Sequence, residues 1–116
     1  MAVNDQKHDG TELVHVRNWN ACYNSGADVI ALSCTVTTAD SSATISAAGL
    51  ILNDSKGMTL ASSYAEFTSS SESVTLALNL PPNGLGVGDT VEGVVSGEVQ
   101  GLHYFFEQRL TISSCG

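Results

Sequence analysis

Ser73-Val74-Thr75-Leu76-Ala77-Leu78-Asn79-Leu80 alternates without a break. In an extended chain Val74, Leu76, Leu78 and Leu80 fall on one side, and Ser73, Thr75, Ala77 and Asn79 on the other. That is a strand with one buried face. The same period recurs along the chain. Ile30, Leu32, Cys34 and Val36 point one way while Ser33, Thr35 and Thr37 point the other. Tyr104, Phe106, Leu110 and Ile112 form a third row, with His103, Glu107, Arg109 and Thr111 opposite. Val91, Val95 and Val99 form a fourth, spaced by Gly93 and Gly97, which mark a bulge or a close approach of neighbouring backbone.

Three further segments complete the set. Residues 43–52 are almost continuously apolar, as in a strand covered on both faces. Residues 58–67 mix Leu60, Tyr64 and Phe67 with Ser62 and Glu66, closer to an edge strand. Asn53-Asp54-Ser55-Lys56-Gly57 joins the two as a tight turn, which predicts a β-hairpin over residues 43–67. A short strand over residues 11–17 opens the fold. Turn residues punctuate the runs at Ser25-Gly26, Ala39 to Ser42, Thr68 to Glu72 and Pro81-Pro82-Asn83-Gly84. No helical period extends over three turns.

About seven strands at this spacing predict an all-β domain, a two-sheet antiparallel sandwich of immunoglobulin or fibronectin-III type over residues 11–116. Residues 1–10 are polar, lack the apolar run of a signal peptide, and read as a flexible tail. The antibody spacing of Cys, Trp and Cys is absent, because Trp19 precedes both Cys22 and Cys34.

The charge balance narrows the function. The 116 residues carry 12 acidic and 4 basic side chains, a net charge of −8. A phosphate backbone needs clustered Lys and Arg, so nucleic acid is excluded as a partner. No run approaches the roughly 18 apolar residues of a membrane helix, so no membrane insertion is expected. The 15 Ser and 10 Thr supply the polar surface that charged residues supply in most cytosolic proteins. With Lys so scarce, that composition points to an extracytoplasmic setting: secreted, on a cell surface or on a virion.

Of the three cysteines, Cys34 belongs to a core row, Cys22 to an Asn-rich loop over residues 18–24, and Cys115 to the C-terminal strand. Cys115 has either Cys22 or Cys34 as a disulfide partner, leaving a third thiol free. No zinc spacing occurs, and neither a metal nor a cofactor is expected. The string Gly93-Val94-Val95-Ser96-Gly97 lacks the nucleophile-elbow spacing, and His8, His15 and His103 are scattered. Glu92, Glu98 and Glu107 share a face if their strands pair, but a filled sandwich provides no cleft between them. No enzymatic activity is expected.

What remains is contact. Phe105 has the parity opposite to Tyr104 and Phe106 and so points to solvent, next to His103. Trp19 and Tyr23 stand among asparagines, as residues that stack on sugars or anchor a partner do. The leading expectation is a non-enzymatic surface module that binds proteins or assembles with itself, in adhesion, in filament or virion assembly, or as a structural appendage. A carbohydrate-binding module using Trp19, Tyr23 and Phe105 with nearby Asn side chains ranks second, and His103 joins these three as a candidate binding residue. An enzyme inhibitor presenting the proline-bearing loop 81–87, with Leu85 at its tip, ranks third.

Overall fold

The computed structural model describes residues 10–39 and 43–115, without the side chains of residues 66–71. The tail at residues 1–9 and the turn at residues 40–42 lie outside the described residues. Eight strands form two sheets packed face to face. They are β1 (Val14–Asn24), β2 (Val29–Thr38), β3 (Ile45–Asn53), β4 (Thr59–Ser71), β5 (Ser73–Leu80), β6 (Thr90–Val99), β7 (Leu102–Thr111) and β8 (Ser113–Ser114). The first sheet has the order β5-β2-β1-β8 and the second β4-β3-β6-β7. All pairings are antiparallel except β1 with β8.

The alternation seen in the sequence sets the core. Ile30, Leu32, Cys34 and Val36 of β2 are fully enclosed and face Leu50, Leu52, Val95 and Val99 of the second sheet. Each such aliphatic side chain contributes about 2 kcal/mol through removal from water. The hairpin of β3 and β4 forms as expected, closed by the Asp54 carboxylate, which accepts from the Lys56 and Met58 amides at 2.9 Å. Asp54 is thereby a turn residue.

Several boundaries differ from the sequence expectation, each for a local reason. Gly10 is not part of a loose tail. It begins a 3-10 turn, Gly10–Leu13, and is buried where a side chain would press within 2.9 Å of the His103 and Leu102 carbonyls. The first strand therefore starts at Val14, and it runs through the segment expected to be a loop. A register shift between Arg17 and Asn20, with Asn18 at φ 60°, inserts one residue and lets β1 continue to Asn24. Cys22 thus lies on a strand. The connection expected over residues 68–72 is reduced to a bend at Glu72 between β4 and β5. Gly93 and Gly97 mark close approaches of neighbouring groups, and the pairings of β6 stay in register there.

The eighth strand is a two-residue piece that the sequence does not announce. After β7 the chain crosses from the second sheet to the first at buried Ile112, whose amide donates to Asp89 O. Ser113 and Ser114 then pair in parallel with Cys22 and Tyr23. A disulfide joins Cys22 to Cys115, 93 positions apart, and Cys34 remains a buried free thiol. Closing so long a loop restricts the unfolded chain strongly. Reduction, or Cys115→Ser, is expected to lower the unfolding free energy by roughly 3–5 kcal/mol. Urea midpoints with and without reductant check this, and an unchanged midpoint would contradict it.

Candidate functional site on the outer face of the second sheet

Pairing across β4, β3, β6 and β7 aligns Tyr64, Gly49, Ser96 and Phe105 in one cross-strand row. The row lies on the face turned away from the core, because Leu50 and Val95, the next residues along, are fully buried. Tyr64 is 60% exposed and Phe105 55% exposed, while the residues between them are small. The Tyr64 ring occupies the space above Gly49, where an added Cβ would stand 2.8 Å from its Cδ1. Glycine there lets the ring settle onto the sheet, the cross-strand shielding of a glycine by an aromatic.

The next row carries Glu98 opposite His103. Their side chains are exposed, with Nε2 and Oε2 4.0 Å apart. Tyr64, Ser96, Glu98, His103 and Phe105 line an open groove of about 360 Å³. That volume falls in the range of small-ligand sites. Its polar groups are a carboxylate, an imidazole and a hydroxyl, a set suited to hydrogen-bonding a ligand.

Below the groove, Tyr104 holds β7 in place. Its hydroxyl donates to Ala47 O at 2.9 Å, passing over Gly97. A side chain at position 97 would collide with Ala47 O and with the Tyr104 hydroxyl. At the sheet edge, the Phe105 amide donates to Thr11 Oγ1 at 3.2 Å, so the N-terminal turn fixes the backbone under Phe105.

The four residues expected to bind do not form one site. His103 and Phe105 lie in the groove. Trp19 sits at the β1 bulge, half-buried, with its ring against Gly93 of the opposite sheet: a Cβ there would be 2.5 Å from Cζ3. It packs against the core cluster. Tyr23 is on β1 beside the disulfide, and its hydroxyl donates to Asp28 at 2.7 Å. Sequence reasoning missed Tyr64 and Gly49 as partners of Phe105. In the loop 81–87, Leu85 packs on the core and its amide donates to Pro82 O, which leaves Val87 as the exposed apolar side chain. Glu92, Glu98 and Glu107 do share the outer face, through the register with Arg109, His103 and Val94.

No group of three or more metal-ligating side chains occurs among the described residues. Among them, no helix is long and apolar enough to cross a membrane.

No family model matches the chain, and no curated protein does. Several solved structures share its fold, two of which show the extent of the likeness. A DUF3823 family protein from Bacteroides ovatus superposes with a TM-score of 0.56 at 18% identity, over 89% of this chain and 56% of that one. OgpA from Akkermansia muciniphila superposes with a TM-score of 0.52 at 14% identity, over 84% of this chain and 28% of that one. The chain thus spans about half of the first and about a quarter of the second. At these identities the likeness is one of fold.

Two buried groups make the support under the groove testable. Burial pushes the Cys34 thiol up to about 11. Burial, and then the neighbouring Cys34 and Tyr64, raise the Tyr104 phenol above its ordinary value. Both are held protonated in the fold; the Cys34 contribution is full below about pH 9, the ordinary thiol value, and is lost as pH rises through about 11. Denaturant unfolding across that window should show falling stability, and a flat profile would contradict it. Tyr104→Phe keeps the ring and removes the bond to Ala47, at an expected cost of about 1–2 kcal/mol.

Proposed function

We propose that this domain is a non-enzymatic, extracytoplasmic binding module that acts through contact at the outer face of the β4-β3-β6-β7 sheet. The observation that carries the reading is the placement of two exposed aromatic rings, Tyr64 and Phe105, at the two ends of a single row floored by Gly49 and Ser96. Exposed rings over a small-residue floor offer apolar contact at little cost in side-chain entropy. The strand order, with β1, β2 and β5 facing β4, β3, β6 and β7, supports the immunoglobulin-like reading of the architecture. The disulfide between Cys22 and Cys115 supports an oxidising compartment. A surface or adhesion role, with the domain as the recognition part of a larger assembly, fits all three.

The site is open to test before any natural partner is known. Backbone amide shifts would be recorded while the domain is titrated with methyl β-glucoside, N-acetylglucosamine and indole as separate probes. The expected result is that shifts for at least one probe concentrate at Gly49, Ser96, Glu98 and Phe105. Shifts concentrated on the loop 81–87 or around Trp19, or none with any probe, would overturn the reading.

A further inference from the structure

We infer that the groove between Tyr64 and Phe105 takes a neutral glycan, laid across the strands from one ring to the other; this rests on the contact reading above and names its ligand. Adjacent strands lie about 4.8 Å apart, so the Cα atoms of Tyr64 and Phe105, three strands apart, are separated by about 14 Å. Tyr64 leans inward over Gly49, which shortens the gap between the rings. The span matches a short run of linked pyranose rings. One face of a pyranose presents weakly positive C–H groups, and the negative face of an aromatic ring attracts them.

The polar groups fit the same ligand. Sugar hydroxyls both donate and accept, and the groove supplies an acceptor in Glu98, a hydroxyl in Ser96 and an imidazole in His103. The Glu98 and His103 side chains are 44% and 86% exposed, so binding a wet, polar ligand does not strand a buried charge. The net charge of −8, together with Glu92, Glu98 and Glu107 on this face, disfavours sulfated or carboxylated sugars. Such ligands need Arg or Lys at the site. Arg109 lies at the other end of the face, opposite Glu92.

A protein partner fits less well. A stable interface covers about 800 Å² on each side around a buried apolar centre. Here the two rings are separated by a floor of Gly and Ser and flanked by charge. Of the other large exposed apolar side chains, Met58 belongs to the β3–β4 turn and Val87 to the loop after β5, neither in the groove.

The test is affinity electrophoresis of the whole domain, in native gels containing β-glucan, xylan or galactomannan, with polygalacturonate as the anionic control. At least one neutral polysaccharide is expected to retard the wild type, and polygalacturonate is not. Phe105→Ala and Tyr64→Ala should each weaken the interaction about tenfold. Gly49→Ala keeps both rings but displaces Tyr64, and it should weaken binding as well. Unchanged Trp19 emission certifies each variant as folded, since that ring packs against Gly93 on the core side of the sheet. No retardation by any neutral polysaccharide would overturn the glycan. Equal retardation of wild type and variants, or stronger retardation by polygalacturonate, would do the same. If glycans fail while indole still shifts the Gly49 and Phe105 amides, the contact reading stands and the ligand is a protein. If indole fails too, both fall.

Discussion

The hydrogen bond from the Tyr104 hydroxyl to Ala47 O is the constraint on which the outer face depends. It crosses from β7 to β3 over β6, and it exists because Gly97 has no side chain to block the path. It lies beside the register shift between Ile45 and Ala47, where the ladder of β3 is irregular. In a strand, a slip of one residue exchanges the two faces completely. With Tyr104 fixed inward, His103 and Phe105 have to point outward, and the pairing of Phe105 with Ser96 follows. A buried aromatic that finds a partner for its hydroxyl is thus what determines which aromatics remain exposed.

Side chains that are missing shape the site as much as those present. Gly97 makes room for Tyr104 below the sheet, and Gly49 makes room for Tyr64 above it. Both lie on central strands, where glycine weakens pairing and loses backbone entropy on folding. The sandwich offsets this with a continuous aliphatic core and a disulfide that ties the last strand to the first sheet.

Most of the fold was legible because most strands set an apolar face against a polar one, Ser- and Thr-rich on β2 and β5. The rows Ile30 to Val36 and Val74 to Leu80 were read correctly from period alone, as was the outward direction of Phe105. What escaped was parity across bulges. On β4, Leu52 pairs with Ala61 and Asn53 with Thr59, so Leu60 is an extra residue. Leu60 packs on the core, yet Tyr64, of the same even parity, lies outside. Counting by twos therefore gives the wrong face for Tyr64. The same event on β1, between Arg17 and Asn20, disguised a strand as a loop and made Trp19 look like a surface residue. A bulge is set by pairing between distant segments, and a single segment does not record it.

The disulfide follows a similar logic. Cys34 was read as a core residue from its row, and its burial keeps it from reaching the C-terminus. Choosing Cys22 required knowing that β1 continues past the bulge and that the chain leaves the second sheet at Ile112. The crossing sets Cys22 and Cys115 with Cα atoms 4.9 Å apart, on the first sheet. The outer face of the second sheet therefore carries no part of the covalent closure. The bond that most restrains the unfolded chain and the surface that carries Tyr64 and Phe105 are on different sheets, so the groove residues are free to vary without undoing the closure of the sandwich.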